Sequence, residues 1–300
     1  TQSRSSAASD VYKIQEIGLP VMRESERDTG NILRSFGLRT MTEDVALKPS
    51  DAADPAWLVE KKNPADLREK YEVYSYRSAA TILAESFPEE YAELCEMLRE
   101  FSITTTMIRT AGGNESEIPK LISKKLRPLN WSETSISGDL LVNITAAKHV
   151  GENKKGGFKY KKDKQQIVRE RYLDGHKVDY VKGRVAFDLE WNSKDQTFDR
   201  DLYAFSAFAQ CGVIDVGVLV TRSTDLGDLI RQLPPALDKN GKIEMTKAGN
   251  PRETRAKYGA STTWMGKLLY RLNAGRNGAC PVLVFGITPN CVEDWPKQTN

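Results

Sequence analysis

The sequence predicts an α/β protein in which helices flank a mixed central β-sheet. Three observations carry that prediction. The stretches "VIDVGVLVTR" (213–222) and "CPVLVFGIT" (280–288) are apolar enough to be strands buried on both faces. Around them run segments whose apolar residues recur every three or four positions, the helical period. Residues 177–196, "KVDYVKGRVAFDLEWNSKDQ", alternate with period two around a tight turn, the pattern of a β-hairpin. Strands and helices alternating along a chain build a layered α/β architecture.

Residues 1–70 are polar and weakly periodic, broken by "LKPSDAADPAW" and "KKNPADL". They read as an N-terminal extension with one or two short helices, one of them around 26–37. From residue 71 onward the pattern sharpens into a main domain. "YRSAATILAESFPEEYAELCEMLREF" places Ala80, Leu83, Ala84 and Phe87, then Tyr91, Leu94, Cys95 and Leu98, at helical spacing. Pro88 suits the first turn of the second helix, and Glu89 and Glu90 suit the positive end of its dipole. A further helix is predicted over 117–126, ending before Pro128, and "DLLVNITAA" (139–147) reads as a strand. The hairpin follows, its turn centred on Lys182-Gly183. Next comes a helix over "DRDLYAFSAFAQCG" (199–212), with Leu202, Phe205 and Ala209 on its apolar side and Gly212 as its stop. "STTWMGKLLYRLNAG" (261–275) is predicted to be a helix capped by Ser261 or Thr262 and stopped by Gly275. Trp131, Trp191 and Trp264 fit core positions better than a stacking platform.

Hydrophobic residues make up 39% of the chain and charged residues 28%, the balance of a soluble globular protein. No apolar run approaches the ~18–20 residues a membrane helix needs. The first residues lack an apolar signal-peptide core, so a cytoplasmic location is expected. The four cysteines show no CxxC spacing, which argues against a zinc knuckle and a disulfide scaffold; Cys95 and Cys211 read as packed core thiols. With only two histidines, a His-rich metal site is excluded. His176 reads as an exposed residue at the start of a strand. Any metal would take oxygen ligands, which favours a hard cation such as Mg2+.

The net charge of +3 decides nothing, but its distribution is informative. Lys148, Lys154, Lys155, Lys159, Lys161, Lys162, Lys164, Arg169 and Arg171 crowd one stretch against Glu152, Asp163 and Glu170. With the glycines of "KKGGFKYKKDK" this reads as a mobile basic loop. Such a loop is either simply solvated or binds a polyanion, Lys159, Lys161 and Lys162 then contacting the phosphate backbone.

The hairpin carries the chemistry. A Lys182-Gly183 turn puts Asp179 opposite Ala186, one diagonal step from Asp188, with Glu190 further along the same face. Val185, Phe187, Leu189 and Trp191 take the other face and can bury themselves, while Ala186 leaves space beside the acids. Two readings stand at this point. Lys177, Lys182 or Arg184 neutralises the acids as surface ion pairs, or the acids gather around a divalent cation. In the second reading Asp179 and Asp188 are metal ligands, and the chemistry is phosphodiester hydrolysis. Arg222, at the end of a predicted strand where α/β folds tend to bind ligands, is a candidate contact to DNA.

The stretch "VDYVKGRVAFDLEWNSKD" resembles the active-site hairpin of BglII-type type II restriction endonucleases, a branch of the PD-(D/E)xK nucleases. The resemblance extends over roughly 71–290 through "DRDLYAFSAFAQCGVIDVGVLVTRS" and "STTWMGKLLYRLNAGRNGACPVLVFGI". It implies a restriction-endonuclease-like core and makes 71–300 the catalytic and DNA-binding domain. Asp179 would be the first metal ligand and Asp188 the second, where the family more often has Glu. Glu190 would take the third place, which is Lys in the wider superfamily, and would orient or deprotonate water or hold the metal. Glu133 in "LNWSETS" would be the upstream polar residue near the metal. Asn192, Ser193 and Lys194 would approach base edges and backbone. The implied activity is magnesium-dependent cleavage of double-stranded DNA at a short palindromic site by a homodimer, one active centre per strand. A repair or junction-resolving nuclease on the same fold, or a non-catalytic DNA-binding protein, are the alternatives.

Overall fold

The computed structural model of the protein describes residues 52–110 and 116–296. The helix expected around 26–37 lies outside them. Two short helices, α1 (Ala56–Lys62) and α2 (Ala65–Lys70), open the described chain and bury Val59 and Leu67. Residues from 51 onward form one compact unit, so these helices belong with the domain that follows. The helices α3 (Ala79–Ser86), α4 (Pro88–Glu100) and α6 (Glu117–Leu126) stand where the spacing predicts them, α4 with Pro88 in its first turn. A short α5 (Thr105–Arg109) is capped by the Thr104 hydroxyl, which accepts from the Met107 N–H.

Six strands form one mixed sheet in the order β1-β6-β5-β4-β3-β2. Its centre is β4 (Val185–Glu190), β5 (Val216–Arg222) and β6 (Val282–Ile287), paired in parallel. β1 (Tyr71–Tyr76), a strand the sequence reading does not assign, runs antiparallel along β6. β3 (Phe158–Lys182) pairs antiparallel with β4, and β2 (Ser132–Glu152) with β3.

Two apolar clusters cover the sheet. One side packs Val185, Phe187 and Leu189 of β4, and Trp191 just beyond it, against α3, α4, α6 and α8 (Thr224–Gln232). The other packs Ala186 with Phe198, Leu202, Phe205 and Phe208 of α7 (Thr197–Gln210) and with Met265, Leu268 and Leu272 of α9 (Met265–Asn273). The acids of β4 share the face of Ala186, so they lie beneath α7. Ala186 is fully buried there, and the open space expected beside it is filled. α9 starts later than predicted, at Met265, after Trp264 and without a side-chain cap. Cys211, expected in the core, is exposed.

A close approach of α7 to the sheet is built on Gly217. Gly217 is the register partner of Ala186, and a Cβ there would stand 2.3 Å from Phe205 Cδ2. Gly217→Ala is expected to destabilise the protein by about 1–3 kcal/mol through overpacking, measured by chemical denaturation. An unchanged midpoint would mean that α7 can shift at no cost.

The basic stretch is a strand pair. β2 and β3 pair from Ser132/Val181 out to Glu152/Phe158, with four register shifts along the way, so residues expected to form a mobile loop form a long ribbon. Beyond Gly138 it projects for roughly 45 Å at ~3.3 Å per residue. Its tip is organised by Asn153 Oδ1, which accepts from the N–H groups of Lys155 and Gly157, each at 3.0 Å. Lys159, Lys161 and Lys162 lie exposed near that tip.

Among the described residues no helix is long and apolar enough to cross a membrane.

Candidate active site

The hairpin turn falls one residue later than expected. Tyr180 pairs with Phe187, Val181 with Ala186 and Lys182 with Val185, which leaves Gly183-Arg184 as the turn. Gly183 takes a φ of +55°, a conformation that favours glycine. Moving the turn by one residue moves the register by two, so the acids keep their shared face. Asp179 now falls opposite Asp188 itself.

The strand pairing stops at Tyr180/Phe187 because the next contact is made by a side chain. The Asp179 N–H donates to Asp188 Oδ1 at 2.6 Å. On the other edge of β3, Ser132 pairs with Val181 and Thr134 with Val178, so three residues of β2 face four of β3. This β-bulge breaks the alternation: Val178 joins the cluster under α7, while Tyr180 joins the opposite one.

Asp188 is 4% exposed and Glu190 6%. None of the cations that could have neutralised them does so. Lys177 pairs with Glu133 at 2.7 Å, Lys182 with Glu93 at 2.6 Å, and Arg184 with Asp215 at 2.6 Å. Burial, followed by the charge of Asp201 and then of Asp179, pushes the Asp188 carboxyl well above the usual range. Burial and Asp201 push Glu190 up to about 8, against the opposing pull of hydrogen bonds from Ser193 and Thr197. The Thr197 hydroxyl donates to Glu190 Oε2 at 3.0 Å. Asp179 remains exposed at the rim; its carboxyl is raised by desolvation, then by Asp201 and Glu133. Among the described residues no three acidic, histidine or cysteine side chains form a ready-made metal cage. Asp188 and Glu190 do gather inside, with Asp179 joined to them through its main chain.

Asp201 is the residue that sequence reasoning missed. It sits on α7, 1% exposed, and its charge helps to raise the Glu190 carboxyl. Its Oδ1 lies 3.2 Å from Arg200 Nη2 and 3.5 Å from His176 Nε2. His176 thus faces the acids half-buried, where an exposed residue was expected. A signal was present: Phe198, Asp201, Leu202 and Phe205 fall on one helical stripe, and an acid on an otherwise apolar stripe needs a reason.

The other candidates divide. Glu133 is the second residue of β2, exposed and paired with Lys177, whose ammonium holds the carboxyl below its ordinary value. Asn192 and Lys194 are exposed just past β4, and Ser193 is half-buried beside Glu190. Asn192 Nδ2 donates to the Lys257 carbonyl at 3.1 Å. Arg222 requires a correction. It is 4% exposed and donates to the carbonyls of Trp191 (2.8 Å) and Thr263 (2.6 Å) and to Thr262 Oγ1 (2.7 Å). It also lies 4.9 Å over the Tyr258 ring, and burial lowers its pKa to about 10. Arg222 is an internal tether between the end of β4 and the 262–263 segment, with its fork unavailable to DNA.

The model of the restriction endonuclease BglII/BglIII family covers residues 71–287, well over half of the chain. The chain belongs to this family. It is a type II restriction endonuclease, a deoxyribonuclease, and enzymes of this kind work with a divalent metal. The matched region takes in the whole sheet from β1 to β6 and all four acids described above. No curated protein sequence matches the endonuclease.

Proposed function

We propose that this endonuclease hydrolyses both strands of double-stranded DNA at a short palindromic site, as a magnesium-dependent homodimer. The observation that carries the reading is a buried carboxylate oxygen without a partner: Asp188 Oδ2 accepts no hydrogen bond. A buried, unpaired anionic oxygen is costly unless a cation or a proton meets it. An all-oxygen donor set of Asp188 and Asp179, with Glu190 adjacent, suits Mg2+. The cation would supply the charge this cluster lacks, favouring the ionised carboxylates, polarising the scissile phosphate and easing loss of a proton from water.

The protein's own groups account for the rest. Glu190 is oriented by Thr197 on Oε2, which positions its carboxylate to take a proton from the attacking water. Asn192 and Lys194 stand exposed at the same end of β4, where they can meet base edges and backbone. Lys159, Lys161 and Lys162 present positive charge along the ribbon for phosphates. Glu133 marks the rim beside Asp179. Two-fold symmetry of the target calls for two copies, one active centre per strand.

Digestion of a fully sequenced plasmid tests this reading. Discrete fragments with magnesium and intact DNA with a chelator are expected, and sedimentation should give a dimer. A smear, or nicking confined to branched substrates, favours a repair or junction-resolving role instead. Replacing Lys159, Lys161 and Lys162 together with Ala should weaken DNA binding across all sequences and lower the salt slope by up to about 3. Loss at one target sequence only would mean that the ribbon reads bases.

A further inference from the structure

We propose that Asp201 is a further ligand of the divalent cation, contributed by α7 and acting with Asp188, each through its unpaired Oδ2; this rests on the metal-dependent reading above. Asp188 Oδ2 and Asp201 Oδ2 both lack a hydrogen-bond partner, and both residues are more than nine-tenths buried. Asp201 is also the largest source of charge felt by Asp179, Asp188 and Glu190 alike. The hairpin supplies acids from one side, and α7 supplies a fourth from the other.

Packing fixes that position. Phe205, one turn beyond Asp201, rests on Gly217 of β5, the register partner of Ala186 in β4. A side chain at 201 is therefore pressed toward the face that carries Asp188 and Glu190. An apolar residue there would complete the stripe of Phe198, Leu202 and Phe205 without any buried charge. Arg200 does not remove the need for a counter-ion: it reaches only Oδ1, and its side chain is 58% exposed. His176 also faces Oδ1, so Oδ2 stays free for a ligand. Hard, anionic oxygens on two elements are the donors that a magnesium-sized cation takes.

The competing role for Asp201 is to position His176, which uses Oδ1 and needs no cation. Magnesium binding by the DNA-free protein separates the two, read by calorimetry and by the shift in melting temperature. Asp201→Asn is expected to melt no lower than wild type without magnesium, because one buried like charge is gone. Its magnesium affinity should fall at least tenfold, as should that of Asp188→Asn. Wild-type affinity in Asp201→Asn, with loss in Asp188→Asn, overturns the proposal and leaves the metal-dependent reading intact. If wild type itself binds no magnesium, both fall. Should Asp201→Asn fail to fold, iron-directed scission of the wild-type main chain decides. Cuts at 199–203 as well as near 188 support a ligand on α7, and cuts confined to 179–190 overturn it.

Discussion

Asp188→Ala is expected to abolish DNA cleavage, by about a thousandfold or more, while the protein stays folded and still binds DNA. A loss of that size corresponds to roughly 4 kcal/mol of transition-state stabilisation. Asp188 is buried, its Oδ1 is held by the Asp179 N–H, and its Oδ2 is unpaired, so the substitution removes a buried, unsatisfied oxygen from the site. It also removes a negative charge from where a phosphate must sit. Binding to a labelled duplex in calcium should therefore be equal to wild type or tighter. Cleavage time courses and gel shifts on the same preparation check both halves. A variant that cuts at the wild-type rate would take the metal away from Asp188.

The second large effect is on stability, and it depends on pH. The carboxyls of Asp188 and Glu190 are raised in the folded state, Glu190 to about 8, because burial and Asp201 disfavour their ionised forms. In the unfolded chain both ionise near pH 4. Between those limits the folded state holds protons that the unfolded state has released, so stability falls as pH rises. Without divalent cation the loss should be absent below about pH 4, grow through neutral pH, and level off only once both carboxyls have ionised. Its size is on the order of a few kcal/mol. Denaturation of chelator-treated protein at pH 5 and pH 8 measures it, and a higher midpoint at pH 8 would show that the acids are not buried together. Saturating magnesium should restore most of the loss at pH 8.

Much of the domain was legible in the sequence because its signals are local. The helices at 79–86, 88–100 and 117–126 follow from apolar spacing, and β5 and β6 from apolar runs too continuous for any one-sided strand. β1 was missed because "YEVYSY" mixes polar and aromatic residues, and only its pairing with β6 makes it a strand. The basic stretch was misread for a related reason. "KKGGFKYKKDK" has the composition of a solvated loop, but its residues from Phe158 onward zip onto the stretch from Thr145 to Glu152, a partner that composition does not reveal. The site divides in the same way. Asp188 and Glu190 were recognisable because their hairpin is local. Asp201 and the tethering role of Arg222 were not, since each is defined by neighbours far along the chain.

By itself, the sequence determined the parity of the hairpin: which residues of 185–191 face the core, and that Asp179, Asp188 and Glu190 lie together on the other side. Period-two alternation guarantees this, and it survives an error of one residue in the turn. Only the tertiary structure decided that this second side is also covered. Gly217 and Ala186 let α7 sit close, and α7 brings Asp201 down onto acids that would otherwise be solvated. Burial turns an unremarkable surface triplet into a group of carboxylates that cannot all be ionised without a cation, and burial is a property of contacts that no single stretch of the chain contains.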